Sequence, residues 1–578
     1  MNLKQPIPLL WLSLWVPLLA FGWLLPNHYY PWATFHSDAW VAVMLAIAAA
    51  AVWIRNPGTV AWHDFSVAIA LLATVPFLQF FAGQLDFSGL AWICTAYVLG
   101  FLLALLTGAR WETATPGRAA DGLMLAIGIA ALVSVGLQLR QWLGVTLESD
   151  EIQIWAGEYS PGRPAANLGQ PNQLATLLLW GLMACAWGVL RQKIRPTYAV
   201  LMALGLLFGL ALTQSRIAMI ATLIIMLASW GWRRLWNSRR VPQVVTLLFL
   251  YFAVCVYSLQ YLSDLLDLGL QIRSASLGGE STHLRLQAYS LFLDAVWQHP
   301  WWGYGWNQVA AAQLSVAQNH PNMTSFFIQS HNLFLDLVLW CGIPIGGGIS
   351  AYVMIWFFRC IKRVVTAEDA ILVVFVLAVG LHAMVELPLH HAYLLLPTGL
   401  VMGMLSQRQK HPVVLKTGRG VIIGLWFAAS ILLAVIIRDY LNVDASFRTY
   451  RLEVAHVGKL PPGEPPDVLI LDDLYEFILN ARTDVKTGMD DAALEKLFHI
   501  TTRFPSTSNM FNYAKALALS GKPAEATAWI EKMQHVLPNG YSLELQSIWR
   551  SQSVDQPAMA LVPWPDMPVE EKSLLHPS

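Results

Sequence analysis

The chain has 578 residues, of which 56% are hydrophobic and only 12% charged, about half the charge of an ordinary soluble domain. Its formal net charge is zero, so nothing in the charge balance points to nucleic acid. With 26 Trp and 17 Tyr available for interfacial belts, the composition excludes a soluble globular protein and leaves an all-α polytopic membrane protein.

The first apolar run, from Pro6 to Leu25, follows a single Lys4 and is followed directly by Pro26-Asn27-His28, without a small-residue cleavage site. It reads as a retained signal-anchor helix. Spanning a bilayer takes about 20 mostly apolar residues. Segments of roughly that length lie at 7–25, 38–54, 64–82, 88–107, 121–143, 172–190, 197–213, 214–230, 243–262, 331–358, 369–388, 391–406 and 420–440, which predicts about 13 transmembrane helices.

Basic residues set the orientation. With the N-terminus in the cytoplasm, the inner loops contain Arg55; Arg110 and Arg118; Arg191, Lys193 and Arg195; Arg233, Arg234, Arg239 and Arg240; Arg359, Lys362 and Arg363; and Arg408, Lys410, Lys416 and Arg419. Arg163, Arg216, Arg273 and Arg285 fall on the outer side, where the topology rule disfavours cations. Something other than insertion is expected to keep them there. The five cysteines lie in or beside apolar segments, with no metal or disulfide spacing, and read as small packing residues.

Three outer elements carry polar groups. The first, Arg163 to Thr176, contains Asn167, Gln170, Asn172 and Gln173 around Gly169 and Pro171, just ahead of an apolar helix. One amide would cap that helix; four suggest donors facing an aqueous mouth. The second is the short turn Thr213-Gln214-Ser215-Arg216, where an arginine opening a helix opposes the macrodipole unless an anion or snorkelling relieves it. The third is the long loop 263–332. Ser281 or Thr282 can cap a helix to about Gln298, with Leu284, Ala288, Leu291 and Ala295 on one stripe and Arg285 alongside. His299-Pro300-Trp301-Trp302-Gly303-Tyr304-Gly305-Trp306 follows, an interfacial belt or a stacking platform for sugar rings.

The loop ends at Ser330-His331-Asn332. Taking Ser330 as the cap places His331 in a helical first turn, where dipole and burial favour a neutral base. Glu386, in Glu386 to Tyr393, needs a partner so close to a membrane face, and the expected one is Arg216 or Arg285. A Walker loop, a zinc spacing and an outer Asp-x-Asp are all missing. A base and arginines without a metal suit a substrate that brings its own leaving group, such as a lipid pyrophosphate.

From 441 to 578 the charge density is that of a soluble domain. A Pro-rich joint at 460–466 leads into helical patterns, and Met510 to Pro538 reads as a helix–turn–helix with small residues at Ala514, Ala518 and Ala526, reminiscent of one tetratricopeptide unit. The pairs Asp472-Asp473 and Asp490-Asp491 read as solvated helix faces. The expected organisation is a transmembrane domain at 1–440 with the catalytic loop 263–332, and a helical tail at 441–578.

His299-Pro300-x-x-Gly303-x-Gly305, followed by His331-Asn332 and an apolar helix with Gly342 and Gly346, resembles the O-antigen ligase and polymerase superfamily. The box at 163–176, the stretch 386–393 and the outer tail are similar to its PglL-type protein O-oligosaccharyltransferases. The resemblance implies a GT-C-like multi-helix fold in the bacterial inner membrane, with the active site and the tail in the periplasm. It implies en bloc transfer of a glycan from undecaprenyl pyrophosphate to Ser or Thr hydroxyls of exported proteins such as pilin, without a cofactor. Carried over by position, His331 is the general base and Arg216 and Arg285 hold the pyrophosphate. Gln170 and Tyr393 position donor or acceptor, with Arg163 and Asn167 on the donor and Asn172, Asn332 and Glu386 supporting. Alternatives are an O-antigen ligase acting on lipid A-core, a polymerase, or a glycolipid transporter. A transporter would concentrate its polar residues near the midplane.

Overall fold

The computed structural model describes residues 9–144, 163–236, 238–268, 280–457, 463–537 and 541–565. Arg273 and the start of the Pro-rich joint lie outside them, as do the side chains of Ser281 and Thr282.

Helices occupy all thirteen apolar segments. In chain order they are α1 (Leu9–Phe21), α2 (Phe35–Arg55), α3 (Asp64–Leu72), α4 (Val75–Phe81), α5 (Ser88–Ala114), α6 (Arg118–Trp142), α7 (Pro171–Leu190), α8 (Pro196–Leu212), α9 (Arg216–Gly231) and α10 (Val241–Leu265). Helices α11 (Glu280–Gln298) and α12 (Val309–Val316) lie in the long loop, before α13 (Leu333–Gly342), α14 (Gly348–Lys362), α15 (Ala367–Ala383), α16 (Ala392–Arg408) and α17 (Arg419–Val454). Among the described residues, eight are long and apolar enough to cross a membrane, counting α3–α4 and α13–α14 as continuous. The chain is thus an all-α polytopic membrane protein. The remaining five segments form helices of 13 to 17 residues, about 20–25 Å at 1.5 Å per residue. A two-stranded antiparallel ribbon, Thr59–His63 with Val413–Gly418, stands outside the helical pattern.

By contacts the chain forms two compact units. One comprises Met1–Ala73, Ala96–Ala275 and Tyr352–Leu433; the other comprises Thr74–Thr95, Ser276–Ala351 and Ala434–Ser578.

In the first unit, ion pairs gather one set of helix ends. Arg191 at the end of α7 lies 3.1 Å from Asp121 of α6 and 3.1 Å from Glu368 of α15. Arg408 at the end of α16 meets Glu112 at 2.8 Å, and Glu368 and Asp369 each at 2.7 Å. Between the ends the packing is close: a Cβ on Gly108 would lie 2.1 Å from the Leu400 carbonyl oxygen, and one on Gly403 2.0 Å from that of Leu105. Small residues allow such backbone approach where lipid supplies no hydrophobic drive. The five cysteines are buried thiols.

In the second unit the tail adds α18 (Asp472–Arg482), α19 (Asp491–Arg503), α20 (Thr507–Leu519), α21 (Pro523–Gln534), α22 (Tyr541–Asp555) and α23 (Pro557–Ala560). The expected helix–turn–helix is α20–α21, turning at Gly521 with φ +76°, and Ala514, Ala518 and Ala526 are buried in its seam. That core includes Leu314 and Ala317 from the long loop. The backbones also join, Met323 N–H donating to the His535 carbonyl at 3.2 Å. One expectation is corrected here. Asp473 is fully buried against Arg503 at 3.0 Å. Asp472 accepts from Ser88 N–H at 3.0 Å and Gly89 N–H at 2.6 Å, capping α5 from 384 and 383 residues away. Orphan donors at a helix start outcompete water for that carboxylate. Asp491 stays exposed, paired with Lys522 at 2.7 Å.

Candidate functional site

The first unit carries a polar network at the helix ends opposite its ion pairs. Its foundation is the 163–170 segment, which threads inward as irregular chain. Buried irregular backbone needs partners, and α6 provides them. Gln141 both donates to the Ala166 carbonyl at 2.9 Å and accepts from Ala166 N–H at 2.8 Å, and Gln138 donates to the Pro164 carbonyl at 3.1 Å. These bonds hold Ala166 at φ +51°. Asn167, 3% exposed, uses its carboxamide on the Trp23 carbonyl at 2.5 Å and the Ser134 hydroxyl at 3.3 Å. The structure thus places Asn167 in the frame of the box.

Gln170 is the cap of α7, its side-chain oxygen accepting from Gln173 N–H at 2.7 Å. That leaves Asn172 to point elsewhere. Gln170 Nε2 donates to one Glu386 oxygen at 2.5 Å, and Asn172 donates to the other. His382, one turn before Glu386, lies 3.3 Å from the same carboxylate, with its Nδ1 2.8 Å from the Thr176 hydroxyl. Two carboxamides and a histidine thus meet at the Glu386 carboxylate. Because α15 stops at Ala383, Glu386 sits in the connecting turn. Burial pushes its carboxyl upward, but the hydrogen bond and charge of His382, aided by Gln170 and Asn172, outweigh it and hold the group below its ordinary 4.5.

Arg163 spans the box and the next turn, donating to the Thr213 carbonyl at 3.1 Å and to Asn172 Oδ1 at 3.4 Å. In that turn Gln214 has φ +48° and Ser215 caps α9, so half-buried Arg216 opens the helix as predicted. Tyr393 is fully buried and its hydroxyl donates to Gln173. Gln173 Nε2 approaches His391 at 2.7 Å, and His391 reaches Thr34 at 3.2 Å, which donates to Asp38 at 2.7 Å. Sequence reasoning named Gln173 and Tyr393 but missed that Thr34 and Asp38 join them, although these two are spaced four apart, the spacing of helical neighbours.

The second unit carries His331. Its predicted first-turn position is corrected: α13 starts at Leu333, and the cap is Asn332, whose Oδ1 accepts from Phe334 N–H at 3.1 Å and Leu335 N–H at 3.2 Å. His331 precedes the cap at φ +60°. Ser330 serves the turn instead, its hydroxyl donating to the Asn332 carbonyl at 3.1 Å. The imidazole meets Phe327 edge to face at 6.0 Å. Tyr289 donates to the His331 carbonyl at 3.4 Å. Burial raises its phenol above 10, and the charge of Arg285, one turn earlier on α11, opposes that. Ala288, Leu291 and Ala295 form the expected buried stripe of α11.

The aromatic turn between these elements has a packing role that its motif does not announce. Gly303 and Gly342 lie back to back: a Cβ on Gly303 would be 2.4 Å from the Leu339 carbonyl oxygen, and one on Gly342 2.3 Å from that of Trp301. Tyr304 N–H donates to Leu339 at 2.7 Å, and Ile343 N–H to Pro300 at 2.7 Å. Gln79 clips both sides, to the Trp340 carbonyl at 2.7 Å and the Trp306 N–H at 2.9 Å. Trp301 and Trp302 are each 69% exposed, a disposition suited to a belt or to stacking.

Comparison with known families bears on these elements. Residues 198–349 match the family described as O-Antigen ligase, and 370–550 match Virulence factor membrane-bound polymerase, C-terminal. Residues 164–187, the box and most of α7, match Protein glycosylation ligase. The General O-oligosaccharyltransferase of Acinetobacter baylyi (strain ATCC 33305 / BD413 / ADP1) is 29% identical over 550 residues, 91% of this chain and 92% of that protein. The ComP-specific O-oligosaccharyltransferase of the same strain is 29% identical over 286 residues, 48% of this chain and 50% of that one. Fold and matches together describe a multi-pass membrane protein similar to the glycan ligases and polymerases. Among these, the chain is similar to the PglL-type bacterial protein O-oligosaccharyltransferases of the O-antigen ligase superfamily.

Proposed function

We propose that this protein is a metal-independent glycosyltransferase that moves a preassembled oligosaccharide from undecaprenyl pyrophosphate to a Ser or Thr hydroxyl of an exported protein such as a pilin. In this reading it has about thirteen spans in the bacterial inner membrane, with its N-terminus cytoplasmic and the chemistry and the tail on the periplasmic face. His331 accepts the hydroxyl proton as the acceptor oxygen bonds to the anomeric carbon. The carbon–oxygen bond to phosphate breaks, and the pyrophosphate leaves with the electron pair. Arg216 and Arg285 stabilise that charge, with Gln170, Arg163 and Tyr393 framing the donor. Asn167, Asn172 and Glu386 hold that frame, and Asn332 supports His331.

The observation that carries the protein acceptor is the box: 164–187 matches the protein glycosylation ligase family, and its amides carry the Glu386 carboxylate. A lipid A-core or glycan acceptor is the second reading, favoured by the ligase and polymerase matches. The test incubates purified protein with undecaprenyl-pyrophosphate glycan, a Ser-rich pilin-type acceptor and EDTA. A glycan-sized mass shift on the acceptor supports the proposal. Transfer only to lipid A-core moves it to ligase, loss with EDTA removes the metal-free scheme, and no transfer to either acceptor overturns it.

A further inference from the structure

His331 is a histidine in the left-handed region. That conformation costs a non-glycine residue about 1 kcal/mol or more and persists only where the surroundings enforce it. The bonds around it form a circuit through the backbone. Asp336 Oδ1 accepts the Ser330 N–H at 2.8 Å, fixing the peptide entering His331. The Ser330 hydroxyl and the Asn332 cap fix the peptide leaving it, and Tyr289 holds its carbonyl.

Asp336 is the unexpected member. It is 1% exposed, in an otherwise apolar first turn of α13. The cap is already supplied by Asn332, so capping does not account for a second polar group there. Burying a carboxyl in such a helix is unfavourable unless it is hydrogen-bonded. Its bond to the Ser330 N–H runs backwards, out of the helix, to the residue before the histidine. We infer that Asp336 is a positioning residue that locks the 330–332 turn and thereby aims the His331 imidazole. This rests on the reading of His331 as the base.

The experiment measures kcat and donor KM in the transfer assay for Asp336→Asn, Asp336→Ala, His331→Ala and the double variant His331→Ala/Asp336→Ala, together with thermal unfolding of each. Asparagine keeps an acceptor oxygen at the same reach. The inference expects Asp336→Asn to stay within about threefold of wild type and Asp336→Ala to lose about 100-fold in kcat with KM nearly unchanged, the scale of an ångström-level misplacement. It also expects no further loss when Asp336→Ala is added to His331→Ala, because nothing remains to be aimed. Wild-type kcat in Asp336→Ala, or an equal additional loss in the double variant, overturns the inference. If Asp336→Ala does not fold, Asp336→Asn decides: a fall beyond tenfold in the folded protein refutes the acceptor role. An active His331→Ala refutes the base reading itself, which separates the two failures.

Discussion

The cluster around Glu386 and the turn around His331 use polar groups in opposite ways. Around Glu386, side chain bonds to side chain: two amides and a histidine converge on one carboxylate. Around His331 the bonds fall on backbone groups at 330, 331 and 332, and the rigid object is the main chain that carries the imidazole. A buried, mutually satisfied network specifies one arrangement and resists change; a locked backbone presents a side chain for work. The first is built as a frame and the second as a mount.

The largest effect expected from breaking this contrast comes at the mount. His331→Ala should lower transfer by about 10³-fold, within the range of a lost general base, while unfolding in detergent stays within about 1 kcal/mol of wild type, as measured by thermal scans. Full activity would make the turn structural and erase the distinction. Next is Gly342→Ala, where a methyl meets the Trp301 carbonyl at 2.3 Å and φ is +73°. A loss of about 3 kcal/mol in stability is expected, and an unchanged melting temperature would show that the aromatic turn is not clamped there.

Glu386→Ala tests the frame. It strands two amides and a buried histidine, at about 2 kcal/mol of stability. The wild-type protein adds a pH signature. The folded carboxyl titrates below its ordinary 4.5, so its contribution is present above that value and is lost as pH falls through the folded pKa. Acid unfolding of Glu386→Ala should lack this component, and identical acid profiles would remove the frame argument. Arg285→Lys should be milder: about tenfold in transfer, because an ammonium cannot present the planar fork to phosphate oxygens. Wild-type turnover would make that arginine structural.

What could be read from the sequence follows from how far apart the partners lie. Apolar length is a local property, so all thirteen segments are helices, and the amide-rich box was visible because one cap cannot use four amides. The left-handed His331 was not visible. Residues 330–332 carry no glycine, and the turn is imposed by Asp336 and Tyr289 through contacts that sequence spacing does not announce. Ser330 and Asn332 serve equally well as caps by residue type, so local pattern does not choose between them. Asp472 on α5 lies beyond any local pattern, and with its true partner hidden, a solvated face was the natural reading of an acidic pair.

Within the second unit the tail offers the smallest test and the one that reports on assembly. His499 of α19 lies 2.8 Å from Asp86. The hydrogen bond to Asp86 raises its pKa above 6.5, burial opposes that, and the charges of Asp86 and Glu495 reinforce it. A raised histidine contributes stability that is fully present below the unfolded value near 6.5 and is lost as pH climbs through the folded one. Hydrogen exchange of 491–503, corrected for intrinsic rate, should therefore show protection falling modestly on the alkaline side of pH 6.5. Asp86→Asn should flatten that dependence and leave the Asp472 cap on α5 in place. Protection that rises with pH, or a wild-type profile in Asp86→Asn, would mean that the carboxylate cap and the shared core at Leu314 hold the tail without help from this pair.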